Sequence, residues 1–222
     1  MEYKVFRDHG KNIRAPAGYK QICVHLVFDV KYDLRRKARL VAGGHLTDPP
    51  KEDVYSGVVS LRSIRICMLL AELNDLKIVT ADVGNAYLEA YTREKLFIVA
   101  GPEFGSALEG HVLLIDKALY GLRSSGARWH ERLADTLRGM GWLPSRADPD
   151  VWMMDARSHW EYIGVYVDDL LIHSRNPMAI IEELKQRYKL KGVGYPEFFL
   201  GAVIKSVDVP EENVLLWGAK LM

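Results

Sequence analysis

The chain has 222 residues, 49% of them hydrophobic and 27% charged, which is typical of a globular protein rather than a disordered or membrane protein. The length suits one large domain or two joined subdomains. No apolar run approaches the ~20 residues of a membrane-spanning helix, so no membrane partner is expected. The start of the sequence has no apolar segment typical of a secretion signal, and Cys23 and Cys67 lack a metal-type spacing. A reducing, intracellular location is therefore expected.

The net charge is only +1, but the charge is unevenly spread. Residues 1–51 contain 11 Lys and Arg against 5 Asp and Glu, which leaves 19 against 24 for the remainder. A basic N-terminal part joined to an acidic body suits a polyanionic partner such as nucleic acid. Ordinary surface charge is the alternative explanation.

Hydrophobic periodicity and turn residues predict seven elements in chain order. They are a β-hairpin over 21–44 with Arg35, Arg36 and Lys37 near its turn, a helix over 60–75 capped by Ser60, a short buried strand over 76–83, a helix over 124–142, a hairpin around Asp168 and Asp169, a helix over 176–190 capped by Asn176, and a closing hairpin from 197–207 and 213–218. This order predicts an α+β domain whose helices pack on an antiparallel sheet.

Three aspartates are candidates for metal binding. Asp82 ends the predicted strand, and Asp168 and Asp169 lie at a hairpin tip 86 residues further along. In an antiparallel sheet, a strand end can lie beside the turn of a neighbouring hairpin. Clustered carboxylates suit Mg²⁺, and two such ions can support an in-line displacement at phosphorus. The alternatives are that Asp168 and Asp169 merely form a turn and that Asp82 caps a helix.

Six segments resemble the reverse transcriptase of copia-type retrotransposons, in the same order and over roughly residues 19–206. They are KARLVAGGH (37–45), YSGVVSLRSIR (55–65), ADVGNAYL (81–88), KALYGLRSSGARWHERL (117–133), YVDDLLI (166–172) and EFFLGAVI (197–204). The resemblance implies a polymerase palm, an antiparallel sheet packed on helices, with β-rich fingers and a thumb that is missing or rudimentary. It divides the chain into fingers (1–75), palm (76–197, with finger segments interleaved near 90–120) and a primer-grip hairpin leading towards the thumb (198–222).

The resemblance also implies roles for particular residues. The catalytic residues would be Asp82, Asp168 and Asp169, with two Mg²⁺ ions, or Mn²⁺ as a substitute, bound by Asp82, Asp168 and the carbonyl of Val83. The nucleotide-binding residues would be Lys37, Arg39, Tyr87, Tyr120, Gly121 and Arg123, with Tyr87 as an aromatic gate beneath the sugar. The template and primer contacts would be Arg35, Arg36, Ser124, Ser125, Tyr166, Leu200 and Gly201.

The implied activity is RNA-directed DNA polymerase, in which a primer 3′-hydroxyl attacks the α-phosphate of a dNTP. The implied partners are an RNA or DNA template with its primer, and a larger polyprotein with ribonuclease H and integrase that acts in the cytoplasm, including in virus-like particles. The sequence departs from many family members at Gly84, where they carry lysine, at Arg123 and Ser124, where they carry Lys-Gln, and at Tyr87, where they carry phenylalanine.

Other interpretations remain open. The chain could be a decayed or repurposed element that binds nucleic acid or protein without catalysis, although the intact aspartates argue against decay. A further interpretation is a different two-metal enzyme on a related palm, such as a nucleotide cyclase. This sequence contains no Gly-Gly-Asp-Glu turn, which such a cyclase would need. His130 and Glu131 in the segment WHER suggest a metal site, but their helical spacing favours a solvated face.

Overall fold

The structure, a computed structural model, describes residues 3–30, 34–47, 49, 54–205 and 220–221. The helices of these ranges are α1 (Leu61–Leu73), α2 (Ala86–Glu89), α3 (Ser125–Gly139) and α4 (Pro177–Lys185). The strands are β1 (Phe6–Lys11), β2 (Lys20–Gln21), β3 (Val24–Val30), β4 (Arg36–Ala42), β5 (Lys77–Val83), β6 (Leu96–Val99), β7 (His111–Ile115), β8 (Leu143–Pro144), β9 (Val151–Asp155), β10 (Trp160–Tyr166), β11 (Asp169–Ser174), β12 (Leu190–Gly194), β13 (Phe198–Phe199), β14 (Ala202–Val203) and β15 (Lys220–Leu221).

The chain divides into two compact units, each built from two separate stretches of sequence. The first unit comprises Met1–Ser56 and Asn85–Leu133, and the second comprises Gly57–Gly84 and Ala134–Met222. Helix α1 therefore groups with the strand that carries Asp82, whereas the predicted fingers segment extended to residue 75. The functional division into fingers, palm and primer grip stays a prediction.

The first unit contains a four-stranded sheet in the order β1-β7-β6-β2 and a separate two-stranded ribbon, β3 with β4. The ribbon confirms the predicted hairpin, with Val24 opposite Ala42 and Val30 opposite Arg36. Strands β2 and β6 are parallel, and the other neighbouring strands are antiparallel. The core of the unit consists of buried apolar side chains, including Ile22, Leu96, Ile98, Leu113, Ile115, Leu119 and Leu122.

The second unit is built on a six-stranded antiparallel sheet in the order β12-β5-β11-β10-β9-β8. The predicted buried strand is confirmed as β5, and the predicted hairpin around the two aspartates is confirmed as β10 with β11. Helices α1 and α4 pack against β5 and β11. Leu170, Leu171 and Ile172, which alternate between the two faces of β11, are all fully buried, so both faces of this central strand are covered.

Helix α1 begins as the sequence predicts. The side chain of Ser60 accepts a hydrogen bond from the backbone N–H of Ser63 at 3.1 Å, which satisfies one of the free donors of the first turn. The buried face of α1 packs against Leu171 and its neighbours in the sheet. Gly164 makes this packing possible, because a Cβ at that position would lie 2.5 Å from the Cδ1 atom of Ile64.

Helix α3 is also confirmed, with Trp129, Leu133 and Leu137 fully buried along one stripe. Helix α4 begins as predicted, with Asn176 at the N-cap position and Pro177 in the first turn, but it differs from the prediction in two details. The side chain of Asn176 makes no capping hydrogen bond, and the helix ends at Lys185 rather than at residue 190. The reason for the earlier end is that β12, which begins at Leu190, pairs with β5.

The segment 197–207, which was predicted as the first strand of the closing hairpin, instead contains a small hairpin of its own, in which β13 pairs with β14 across a two-residue turn. The predicted strand over 213–218 lies outside the described residues. Among the helices of the described ranges, none is long and apolar enough to cross a membrane.

Candidate active site

Asp82, Asp168 and Asp169, which we call the acidic tip, meet where β5 lies beside the turn of the β10–β11 hairpin. Asp169 begins β11 and lies directly opposite Asp82 in the antiparallel ladder. Residues directly opposite each other lie on the same face, with Cβ atoms ~4.5–5.5 Å apart. Asp168 lies in the turn, and its carbonyl oxygen accepts a hydrogen bond from the N–H of Val83 at 2.8 Å. The structure therefore brings the three predicted catalytic residues together.

The turn that carries Asp168 has an unusual backbone. Tyr166 pairs with Asp169, so Val167 and Asp168 form a two-residue hairpin loop. Val167 has a φ of 55°, a left-handed conformation that a β-branched residue adopts at a cost. Such strain persists where the surrounding structure imposes it, and it occurs frequently at functional sites. The sequence pattern had predicted the turn but not its strain.

The acidic tip is electrostatically unfavourable for its own charges. Burial, together with the negative charges of Asp168 and Asp82, raises the pKa of Asp169 to about 6. A carboxylate that is half removed from water and surrounded by like charge favours a proton or a cation. This effect requires that the three carboxyl groups lie close enough to interact.

The residues of the tip fit a magnesium ion, because carboxylate and carbonyl oxygens are its preferred ligands. Among the described residues, no group of three or more His, Cys, Asp or Glu side chains, the three aspartates of the tip included, is arranged as a cage that could hold a metal ion. Magnesium does not need such a cage, since it commonly takes one or two protein carboxylates and fills its remaining positions with water and substrate phosphates. The donor set at the tip therefore suits an ion that substrate helps to bind.

Lys191 is a residue of this site that the sequence analysis missed. It lies on β12 directly opposite Asp82 in the ladder. Its side chain passes over Gly84, where an added Cβ would lie 3.0 Å from Cε and 3.3 Å from Nζ of Lys191. The glycine at position 84 thus leaves room for the side chain of Lys191, which lies on a neighbouring strand. Many family members carry a lysine at position 84 itself.

The ribbon of β3 and β4 has two chemically different faces. Lys37 lies opposite Asp29 and Arg39 lies opposite Val27, so Lys37 and Arg39 share one face. The guanidinium of Arg39 lies 3.6 Å from the carboxylate of Asp29. Arg36 lies opposite Val30 on the other face, and Arg35 precedes β4 near the turn. The structure therefore separates the predicted triphosphate-binding cations from Arg36, which was predicted to contact template or primer.

Tyr87 lies in the short helix α2 and packs against Tyr120, with ring centroids 4.9 Å apart and ring planes at 52°. The structure thus brings two predicted nucleotide-binding residues together within the first unit. Packing against Tyr120 also holds the Tyr87 ring in place, as a rigid gate requires. Whether Tyr87 contacts a sugar stays a prediction.

Gly121 and Gly44 mark a close crossing of two backbone segments. A Cβ at Gly121 would lie 2.2 Å from the carbonyl oxygen of Ala42, and a Cβ at Gly44 would lie 2.2 Å from that of Gly121. The N–H of Ala42 donates to the carbonyl of Tyr120 at 2.7 Å, and Nη2 of Arg123 donates to the carbonyl of His45 at 3.2 Å. The two glycines therefore permit the backbone around Gly121 to approach the base of the β3–β4 ribbon closely.

Ser124 and Ser125 are buried, and both hydroxyls have acceptors within the chain. Ser124 donates to the carboxylate of Glu94, and Ser125 donates to the carbonyl of Leu119 at 2.7 Å. A template or primer contact by these hydroxyls would require these bonds to break. Their predicted role thus stays a prediction, and their observed role is to hold the loop before α3.

The remaining predicted residues lie at turns and strand ends. Leu200 and Gly201 form the turn between β13 and β14, and both have positive φ, 51° and 72°. Tyr166 ends β10 and is 37% exposed beside the acidic tip. Glu131, in the segment WHER, is exposed as predicted and pairs with Arg93 at 3.1 Å, whereas His130 is only partly exposed.

The chain is similar to known proteins over most of its length. Residues 8–209 match the family model "Reverse transcriptase (RNA-dependent DNA polymerase)". The Retrovirus-related Pol polyprotein from transposon RE1 of Arabidopsis thaliana is 30% identical over 192 residues, which cover 82% of this chain and 13% of that protein. The chain belongs to the reverse transcriptase family, whose domain has a palm-type fold.

Two further relatives define the branch of the family. The Retrovirus-related Pol polyprotein from transposon TNT 1-94 of Nicotiana tabacum is 27% identical, over 87% of this chain and 16% of that protein. The Transposon Ty1-DR4 Gag-Pol polyprotein of Saccharomyces cerevisiae is 31% identical, over 77% of this chain and 11% of that protein. These polyproteins are of the copia type, as the sequence resemblance indicated, and the chain spans less than a fifth of their length.

Proposed function

We propose that this chain is the RNA-directed DNA polymerase domain of a copia-type retrotransposon and transfers dNMP from a dNTP to a primer 3′-hydroxyl. The observation that carries the proposal is the convergence of Asp82, Asp168 and Asp169 at the acidic tip. Like charges that are brought together against their own repulsion favour a bound cation. Phosphoryl transfer needs mainly alignment and charge neutralisation, so it needs no nucleophilic side chain.

Asp82, Asp168 and the carbonyl of Val83 would hold Mg²⁺, or Mn²⁺ in its place. A pair of such ions supplies activation of the attacking hydroxyl and stabilisation of the leaving oxygen. Asp169 lies opposite Asp82 and adds negative charge that strengthens cation binding without serving as a ligand. Lys191, opposite Asp82 on its other side, limits the accumulated charge of the tip.

The residues of the first unit would select and hold the nucleotide. Lys37 and Arg39 share a face of the ribbon and would bind the triphosphate, because cations on a projecting hairpin can close on its charges. Tyr87, which is held by Tyr120, would exclude a 2′-hydroxyl from the sugar site, because a closely packed wall has no room for another atom.

The partners would be an RNA or DNA template with its primer, contacted by Arg35, Arg36, Tyr166 and the β13–β14 turn. The curated relatives are Pol polyproteins of which this chain matches a small part, so the domain would work within a larger polyprotein. The family resemblance adds ribonuclease H and integrase as the neighbouring domains. The corresponding location would be the cytoplasm, including virus-like particles.

Primer extension tests the proposal directly. The chain is incubated with a primed RNA template, dNTPs and Mg²⁺, and an Asp168→Asn variant serves as the matched control because it keeps the size of the side chain. The wild type should extend the primer, and the variant should not. Extension that is equal in both proteins, or that is absent in both while both bind the primed template, would instead indicate a nucleic-acid-binding module without catalysis.

A further inference from the structure

Helix α1 carries a second apolar stripe on the side that faces away from the core. Ile66, Leu69 and Leu73 are 49%, 48% and 64% exposed. Their spacing of three and four residues places them on one helix face, opposite the buried Ile64 and Ala71. Isolated exposed apolar residues are common, but a contiguous stripe on a helix is typical of a contact surface.

The charges of this face oppose the helix dipole. Arg62 and Arg65 lie in the N-terminal part of α1, and Glu72 lies in its last turn. Cations are unfavourable near a helix N-terminus and anions near a C-terminus. Arg62, Arg65 and Glu72 are all exposed, and none of them forms an ion pair with another described residue. The arrangement costs stability within one chain, which calls for a compensating partner.

We propose that the outer face of α1 binds the same face of a second copy of the chain, with the two helices antiparallel. A twofold axis places the N-terminal half of one helix against the C-terminal half of the other. With the axis between residues 68 and 69, Arg65 lies beside the partner's Glu72, Leu69 and Ile66 of each copy meet at the centre, and Leu73 lies outside the charged pair. Arg62 then lies at the same end as the partner's Asp75, which follows the C-cap of α1 and is exposed in the single chain.

The charge pattern selects this occupant over others. A polyanion would be attracted to Arg62 and Arg65 but repelled by Glu72 and Asp75, and it would leave the apolar centre in water. A second copy satisfies both ends of the face at once, because the basic and acidic ends are related by the same twofold axis. It also places the negative end of the partner's helix dipole beside Arg62 and Arg65.

The contact is small, so the dimer is reversible. A helix of 13 residues is ~20 Å long, and a contact along its face is smaller than the ~1,200 Å² of a standard stable interface. In such an interface, the apolar centre supplies affinity, and the charged pairs determine orientation and choice of partner. The proposal concerns assembly and is independent of the polymerase activity proposed above.

Sedimentation velocity over a range of protein concentrations tests the proposal on the whole chain. The wild type should show a mass between monomer and dimer that rises with concentration and falls with added salt. Leu69→Glu should be monomeric, because it buries a charge at the centre. Arg65→Glu and Glu72→Arg should each be monomeric, because each places like charges opposite one another.

Two combinations restore complementarity and so distinguish a direct contact from a general effect of charge. The double variant Arg65→Glu/Glu72→Arg should dimerise again, and a mixture of the two single variants should form a heterodimer. Arg187→Glu, an exposed charge reversal in the same unit, is the control and should dimerise like the wild type. Thermal melts confirm that each variant is folded.

A wild type that stays monomeric at the highest concentration would overturn the proposal. So would a dimer that survives Leu69→Glu, or a double variant that fails to regain the dimer lost in the single variants. None of these outcomes affects primer extension by the monomer, so a failure here is distinct from a failure of the proposed polymerase function.

Discussion

The β10–β11 hairpin carries a poorly solvated carboxylate at each end, and the two carboxylates have opposite electrostatic surroundings. At one end, buried Glu161 accepts hydrogen bonds from the hydroxyl of Ser174 at 2.6 Å and the N–H of Arg175 at 3.1 Å. Nε2 of His159 lies 3.4 Å from the same carboxylate. At the other end, half-buried Asp169 lies beside the charges of Asp168 and Asp82.

We interpret Glu161 as a structural carboxylate and propose a functional role for Asp169. Buried charges persist in proteins when hydrogen bonds or opposite charges compensate them, and Glu161 is compensated by its own chain. The acidic tip concentrates negative charge at the strained Val167 turn instead, which a chain selected for stability alone would avoid. The tip is therefore the end of the hairpin at which we expect an external cation.

The largest expected effect is the loss of synthesis on changing the tip. Asp82→Asn or Asp168→Asn should lower primer extension at least ~10³-fold, since several kcal/mol of charge stabilisation disappears with a metal ligand. Single-turnover extension by folded protein measures this. Glu161→Gln is the matched control at the other end of the hairpin, and a comparable loss in that variant would remove the functional distinction between the two ends.

The second prediction concerns the stability of the compensated end. Glu161→Ala should lower the free energy of unfolding by about 3 kcal/mol, because Ser174 and the N–H of Arg175 lose a charged acceptor. Chemical denaturation at neutral pH measures the change. A loss below about 1 kcal/mol would mean that water replaces the carboxylate and that this end is not tightly compensated.

The third prediction concerns His173, which lies on β11 between the two ends. Its side chain is fully buried, and neither ring nitrogen makes a hydrogen bond of good geometry with a described residue. Burial lowers the pKa of His173 to about 4, and a marginal backbone contact with Tyr162 opposes this only in part. The folded chain therefore keeps His173 neutral at a pH at which the unfolded chain protonates it.

The lowered pKa of His173 determines how the stability of the chain changes with pH. Above the ordinary pKa of 6.5, both states are neutral and His173 contributes no pH dependence. As the pH falls from 6.5 towards 4, the unfolded state gains a proton, so about 2–3 kcal/mol of stability is lost. The free energy of unfolding of His173→Leu, relative to that of the wild type, should therefore rise as the pH falls from 6.5 towards 4. A difference that does not change with pH would show that the pKa of His173 is the same in the folded and the unfolded chain.

The fourth and smallest effect is a gain of stability at the tip. The pKa of Asp169 is raised to about 6, so the folded state favours the protonated form, and stability falls as the pH rises from 3.8 to 6. Asp169→Asn should remove this penalty and raise the free energy of unfolding by about 1–2 kcal/mol near pH 8, after allowing for solvent screening. Denaturation of both proteins at pH ~5 and ~8 measures the gain, which should be larger at the higher pH. A stability loss at both values would mean that Asp169 is compensated as Glu161 is.

Local sequence signals predicted the parts of the site that lie within one element or turn. The Asp168–Asp169 hairpin, the end of β5 at Asp82 and the capped helix α1 all depend on neighbouring residues, so their patterns are visible in the sequence. The N-cap position of α4 at Asn176 was likewise predicted, but the side chain of Asn176 makes no capping hydrogen bond.

The parts that were missed depend on contacts between distant residues. Strand β1 is completed by β7, where Phe6 lies opposite Ile115, and neither segment alone shows which partner it takes. Lys191 reaches Asp82 because β12 pairs with β5 through an irregular register, which no local pattern encodes. The crossing at Gly44 and Gly121 likewise joins segments that are far apart in the sequence.

Magnesium binding by the chain without substrate tests the central claim most directly. If the acidic tip binds the cation that its charges favour, Mg²⁺ should raise the melting temperature near pH ~8, because a ligand that binds the folded state stabilises it. The increase should vanish in Asp82→Asn and persist in Glu161→Gln. An equal increase in all three proteins, or none in the wild type with saturating Mg²⁺, would contradict the assignment of the tip as a metal site.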